Sequence, residues 1–154
     1  LEFRRVLFRS NLATLATLPV PIVCVVVGEG NSGGALAIGV GDRFLMLEHA
    51  IFSVASPEAA ASIVWKDSKH APQAAEALKL TAPDLLRLKL IDRIVPEPVG
   101  GAHGDPSGMI TNLRTALSDE LDQLVAVPAA DLVAARYAKY RRIGAWFDQG
   151  GTPS

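Results

Sequence analysis

The chain has one cysteine, few aromatic residues (6%) and no surplus of either charge, with 15 Lys and Arg against 16 Asp and Glu. A lone thiol, Cys24, excludes an internal disulfide framework, and no CxxC or HxxxH spacing offers a metal site. Cys24 reads as a small buried hydrophobe in a reducing, cytosol-like compartment. The near-neutral balance argues against a surface built to hold nucleic acid, which needs a basic excess. The longest apolar run, residues 20–27, is broken by Pro21 and is far too short to span a bilayer. What is present is a 49% hydrophobic, 20% charged chain of 154 residues, enough for one sizeable core and too apolar for disorder.

Residues 1–10 stand apart. They hold three arginines but neither the apolar segment nor the cleavage site of a secretion signal. They coincide with one reading frame of the tail of a common short-read sequencing adapter. The expectation is an assembly scar outside the fold, a domain covering 11–154, and a natural N-terminus that lies upstream.

From residue 11 the pattern alternates strand and helix. Residues 11–18 read as a helix end, broken by Pro19 and Pro21, which lack the amide hydrogen a helix needs. The β-branched run 22–27 has the composition of a strand buried on both faces. A glycine-rich turn, 28–34, precedes a short helix over 35–40, and residues 44–47 and 51–54 read as strands. Ser56-Pro57-Glu58 predicts a helix start, with a capping hydroxyl, proline at the first helical position and an acid near the positive end. Further short helices are expected at 73–79 and 83–88, and a strand at 91–95. A long helix over 106–124 carries Leu113, Leu117, Leu121 and Leu124 on one stripe. Pro128 opens a last helix to about Trp146. Its cations Arg136, Lys139, Arg141 and Arg142 read as a solvated or subunit-facing surface. Trp65 and Trp146 read as packing anchors, and His49 and His70 as surface histidines. The class is α/β with a helical C-terminal tail.

The glycine loop fits three motifs. Gly28, Gly30 and Gly33 match a dinucleotide fingerprint, with Glu48 as the acid twenty residues on. The two-turn helix opposes this, since it covers only about 9–12 Å where a crossover must run the length of the sheet. Gly30, Ser32 and Gly34 match a serine hydrolase's nucleophile elbow, with Asp92 and His103 following in triad order. Finally, Gly33 and Gly34 stand where successive backbone N–H groups at a helix start converge, an arrangement that holds a developing oxyanion.

These segments resemble the α subunit of the acetyl-CoA carboxylase carboxyltransferase, in its cyanobacterial and plastid form. The likeness runs through residues 28–37, Ser56-Pro57-Glu58, Ile63-Val64-Trp65-Lys66 and Pro96-Glu97-Pro98-Val99-Gly100-Gly101-Ala102-His103. Departures include Asn31, where the family usually has glycine, Ala59-Ala60 for a pair ending in cysteine, and Gly104 for a more polar residue. The resemblance implies a crotonase-like fold of ββα units, truncated at its N-terminus. It implies transfer of a carboxyl group from carboxybiotin, on a separate carrier protein, to acetyl-CoA, giving malonyl-CoA for fatty acid biosynthesis. Gly33 and Gly34 would donate to the biotin ureido oxygen, with Gly30, Ser32 and Ala35 lining the substrate. Implied partners are a β subunit bearing a zinc ribbon, commonly in an α2β2 assembly, the biotin carboxyl carrier protein and biotin carboxylase. No metal is implied on this chain. A cytoplasmic location is implied, or the stroma in a plastid-bearing organism.

Overall fold

The computed structural model describes residues 2–144. Among the described residues, five strands and seven α-helices follow one another as α1 (Glu2–Thr17), β1 (Val23–Val26), β2 (Glu29–Asn31), α2 (Ser32–Ile38), β3 (Arg43–Leu47), β4 (Ile51–Ser53), α3 (Pro57–Val64), α4 (Ala71–Leu78), α5 (Ala82–Arg87), β5 (Arg93–Val95), α6 (Pro106–Val125) and α7 (Ala129–Arg141), with one 3-10 turn at Ser68–His70 before α4. Residues 2–10, read from sequence as a scar, lie in the first turns of α1. The expected end of the last helix at Trp146 lies outside the described residues.

Two parallel sheets carry the fold. One has the order β1-β3-β5, with Val23 opposite Arg43 and Leu45 opposite Arg93. The other pairs β2 with β4, setting Gly30 against Phe52 and Asn31 against Ser53. Each of β1 and β3 is followed within a few residues by a strand of the second sheet and then a helix. This is a ββα unit, twice repeated. Strand β2 is absent from the sequence reading because Glu-Gly-Asn has neither β-branched residues nor alternation. It is a strand because β4 lies beside it.

The core forms around β3, whose Leu45, Met46 and Leu47 are fully buried together with Val95 of β5. Ile91, Leu85, Met109 and Ala116 pack against them. The strand expected to be buried on both faces, β1, is instead an edge strand with only Val26 buried, and the central place falls to β3. Cys24 is half-buried, and a side chain at Gly41 would stand 2.6 Å from its sulfur. Burial raises the pKa of this thiol, keeping it in the unreactive form.

The local start signals hold. Ser56 accepts the Ala59 N–H at 3.2 Å, and Asp105 accepts that of Gly108 at 3.0 Å, each followed by proline in the first turn. Of the four leucines expected on the buried stripe of α6, Leu124 is buried, Leu113 packs partly against the core and Leu121 is exposed, while Met109, Ala116 and Glu120 complete the buried side. Glu120 sits on the buried side because Arg43 and Arg93, at the starts of β3 and β5, both donate to it. In the basic cluster of α7, Arg141 and Arg142 are exposed as expected, but the other two cations are not. Arg136 is buried, paired with Asp42, while Lys139 reaches Asp92 and the Asp42 carbonyl. Tyr140 donates to the Gly41 carbonyl at 2.7 Å, and burial pushes its pKa far up. The N-terminal end of the β1-β3-β5 sheet is thus a charged, cross-braced end. The opposite end carries the glycine loop. No helix among the described residues is long and apolar enough to cross a membrane.

Candidate active site

The glycine loop leaves the C-terminal end of β1, and the Gly28 carbonyl accepts the Ile51 N–H at 2.9 Å where β4 begins. Gly30 is buried in β2. A side chain there would stand 2.7 Å from the Phe52 ring, which packs edge-on against Phe44 at 4.9 Å. Gly30 therefore serves close packing of the two sheets, and Ala35, also expected to line the substrate, points into the core at 2% exposure.

Ser32 has φ +56°, in the left-handed region that a β-carbon disfavours. A left-handed residue followed by helical Gly33 turns successive N–H groups to one side, forming an anion-binding concavity. The first turn of α2 takes no side-chain cap. No heavy atom lies within 4 Å of the place a Gly34 β-carbon would occupy, apart from the chain next to it. Gly33 and Gly34 thus lie in an uncapped first turn, with open space beside Gly34. The arrangement can stabilise negative charge on a small oxygen, and backbone groups need no titration to do so.

The hydrolase alternative is not assembled. Its strongest point is the strained Ser32, which matches the geometry of a nucleophile elbow. Its Asp92, however, lies at the charged end of the sheet, where it accepts the Phe44 N–H at 2.7 Å and pairs with Lys139. His103 lies beyond the far end of β5, exposed, beside Gly101. The dinucleotide alternative fails on β2, which interrupts the glycine turn before the helix. Its Glu48 accepts the Glu97 N–H at 3.1 Å instead of standing free for a ribose. A cavity of about 970 Å³ lined by Lys89, Asp92, Lys139, Arg141 and Arg142 also opens at the charged end, away from the glycines.

Glu97, which the sequence reading did not single out, braces the end of the sheet that bears the loop. Its carboxylate accepts the N–H groups of His49 at 2.9 Å and Ala102 at 2.8 Å, and the His49 ring lies 3.4 Å away. Burial alone raises its pKa, but these hydrogen bonds outweigh it and hold the group below the ordinary glutamate value. Gly100 and Gly101, at φ +90° and +85°, supply the turn that returns Ala102 to it. The signal in the sequence was a glutamate fixed between two prolines ahead of a Gly-Gly pair. Trp65, expected as a packing anchor, is 43% exposed and lies 5.7 Å from the His70 ring.

Two parallel sheets joined as ββα units, with a glycine-rich loop opening a short helix, define a crotonase-like subunit. Solved structures agree on this fold. A Pseudomonas malonate decarboxylase hetero-tetramer in complex with coenzyme A superposes with a TM-score of 0.63 at 18% identity, covering 88% of this chain and 55% of that one. An enoyl-CoA hydratase from Mycobacterium avium subsp. paratuberculosis gives 0.54 at 20% identity, covering 86% and 55%. Residues 7–144 match the model of the acetyl co-enzyme A carboxylase carboxyltransferase-like family, and the chain belongs to that family. It is 63% identical over 134 residues to the acetyl-coenzyme A carboxylase carboxyl transferase subunit alpha of Heliobacterium modesticaldum, covering 87% of this chain and 40% of that one. For the same subunit of Thermosynechococcus vestitus the figures are 57%, 87% and 41%. The chain spans about two fifths of the length of the curated relatives it matches.

Proposed function

We propose that this chain is the part of an acetyl-CoA carboxylase carboxyltransferase α subunit that holds the biotin end of the reaction, in which a carboxyl group passes from carboxybiotin to acetyl-CoA to give malonyl-CoA. The observation that carries the reading is the uncapped start of α2, with open space beside Gly34. A ureido ring fits such a place, since its carbonyl oxygen needs oriented donors and its flat body needs a surface without side chains. The bound group, on its carrier protein, supplies the activated carboxyl. The role of this chain is to hold the ureido oxygen with the Gly33 and Gly34 N–H groups and to stabilise the negative charge that grows there. Ser32 contributes its left-handed backbone; Gly30 and Ala35 set the loop against the core.

The acetyl-CoA site belongs in this reading to a β subunit carrying the zinc ribbon, in an α2β2 assembly served by the biotin carboxyl carrier protein and biotin carboxylase. Exposed apolar side chains support such a partner: Ile63 and Val64 on α3 are 75% and 65% exposed, and Val54 just after β4 is 68% exposed. The free Cys24 agrees with a reducing compartment, the cytoplasm or a plastid stroma. Residues 1–10 are read as adapter-derived, and codons in the source read that differ from the adapter's would refute this.

The test uses the full-length α subunit assembled with its β partner. Gly33→Pro deletes one donor and Gly34→Val places bulk over the open space. Each is expected to lower malonyl-CoA formation by about 10²–10³-fold, the usual loss of an oxyanion donor, while assembly and acetyl-CoA binding persist. Near-full transfer by both assembled variants would refute the reading.

A further inference from the structure

The cavity of about 970 Å³ at the charged end of the β1-β3-β5 sheet has no part in the reading of α2. Four cations, Lys89, Lys139, Arg141 and Arg142, line it against one carboxylate, Asp92. Over the whole chain the charges almost balance, 15 against 16, so the excess is local to this cavity.

The cations arrive from two directions. Lys139, Arg141 and Arg142 belong to the end of α7, whereas Lys89 stands between α5 and β5. The helix dipole favours cations at a helix C-terminus and accounts for those on α7. It does not bring Lys89 to the same place. The single acid is already engaged, since Asp92 pairs with Lys139 and accepts the Phe44 N–H at 2.7 Å. Lys139 is engaged in turn, and it also donates to the Asp42 carbonyl at 3.2 Å. Arg142 is steadied by its Nε, which donates to the Ala138 carbonyl at 3.1 Å. Among the described residues, none of Lys89, Arg141 and Arg142 forms an ion pair.

Three like charges around one space repel one another, and a multiply charged anion relieves that repulsion. Guanidinium groups meet phosphate oxygens with paired hydrogen bonds, and an ammonium group adds a point charge. The volume lies at the upper end of the range for small-molecule sites, roughly 300–1,000 Å³. Single-stranded nucleic acid asks instead for a long basic groove with stacking aromatics, and no aromatic side chain among the described residues lines this cavity. We propose that the cavity binds a small molecule bearing a diphosphate or two phosphate groups, held by Lys89, Arg141 and Arg142. The site lies at the opposite end of the sheet from the glycine loop and stands independently of the role given to α2.

The experiment is calorimetric titration of the full-length α subunit assembled with its β partner. The probes are inorganic pyrophosphate and ADP, at about 0.15 M salt so that long-range attraction is screened. At least one probe is expected to bind with a Kd below about 1 mM. Pyrophosphate binding as tightly as ADP supports a free anion as the ligand, and tighter ADP binding supports a phosphate ester. Lys89→Gly and Arg141→Gln should each weaken binding about tenfold, the loss of one charge-assisted hydrogen bond. Lys89 has φ +58°, so glycine there relieves strain and the variant should melt no lower than the parent. Its loss of affinity therefore cannot come from unfolding. Arg114→Gln, on α6, removes an exposed charge that does not line the cavity and should bind as the parent does. Binding of neither probe overturns the proposal. So does binding that Lys89→Gly and Arg141→Gln leave intact, or that Arg114→Gln weakens equally. An oligonucleotide or a polyglutamate peptide that binds more tightly than both probes, and weakens in the same variants, overturns the small-molecule assignment.

Discussion

Arg136 and Asp42, 94 residues apart in the chain, form a two-pronged ion pair with both side chains under 5% exposed, Nε donating to Oδ1 at 2.9 Å and Nη2 to Oδ2 at 2.8 Å. The three remaining guanidinium hydrogens are shared among the carbonyls of Leu15, Ala16, Leu18 and Val20, and Asp42 also accepts the Ile22 N–H at 2.7 Å. One arginine thus ties the end of α1, the approach to β1 and the start of β3 to α7. Arg136→Ala is expected to cost about 3–5 kcal/mol, because it leaves a carboxylate and several carbonyls buried without a donor. Removing both charges with Arg136→Leu/Asp42→Leu should not restore stability, since the Ile22 amide and the carbonyls stay unpaired. Urea melts of the three variants measure this, and a double variant as stable as the parent would contradict it.

This pair also shows where the sequence stops being informative. Arg136 sits on the same helical face as Leu132, at the i, i+4 spacing of a buried stripe, yet its neighbours Lys139, Arg141 and Arg142 make the helix read as solvated. The partners that bury it are supplied by distant segments, which no local pattern encodes. Local signals fared better. Ser56-Pro57 and Asp105-Pro106 start helices because the capping atoms lie within three residues of the amides they serve. Strand β2 was invisible for the opposite reason, as its identity comes from Phe52 across the sheet. The glycines at 33 and 34, to which the proposed function assigns the donors, were visible in the spacing of the loop. The contact between Asn31 and Ser53 was not, because it depends on the register between two strands.

Three lysines follow helix ends in the left-handed region: Lys66 after α3 at φ +57°, Lys79 after α4 at +50° and Lys89 after α5 at +58°. Glycine is favoured there because a β-carbon meets the following carbonyl. Each single change to glycine is expected to stabilise the protein by about 0.5–1 kcal/mol, the relief of strain less the extra entropy of an unfolded glycine. Thermal unfolding tests it, and valine at the same positions should shift the midpoint the other way.

Glu97 gives a pH dependence with a defined sign. Its folded pKa lies below the reference value of 4.5, so the stabilisation is fully present above that value and is lost as pH falls through the lower folded value. The stability difference between parent and Glu97→Gln should stay flat from neutral pH down to about 4.5 and shrink below it. A difference that grows on acidification would mean the carboxyl group is held protonated.

Ser32 separates two kinds of chemistry. A nucleophilic serine loses about six orders of magnitude in kcat when its oxygen is removed. If only the backbone of Ser32 matters, Ser32→Ala in the assembled enzyme should reduce carboxyl transfer by less than about tenfold, a loss in the range of a single modest hydrogen bond. Ser32→Gly should raise stability by about 1 kcal/mol through relief of the φ +56° strain. Covalent labelling of Ser32 by a fluorophosphonate would revive the hydrolase.

Gly30 and Gly34 are four positions apart, the two ends of the GxSxG pattern, yet the fold asks different things of them. A methyl group at Gly30 would stand 2.7 Å from the Phe52 ring, so Gly30→Ala is expected to cost about 1–3 kcal/mol through overpacking. A methyl group at Gly34 meets nothing within 4 Å, and in a helix alanine is better than glycine by up to about 1 kcal/mol. Gly34→Ala should therefore melt at the same or a higher temperature. If the open space is where the ureido ring lies, the same methyl displaces the reacting group and lowers carboxyl transfer by roughly 10²-fold. A stabilised, fully assembled Gly34→Ala enzyme with parental turnover would show that the glycine is there for the turn alone.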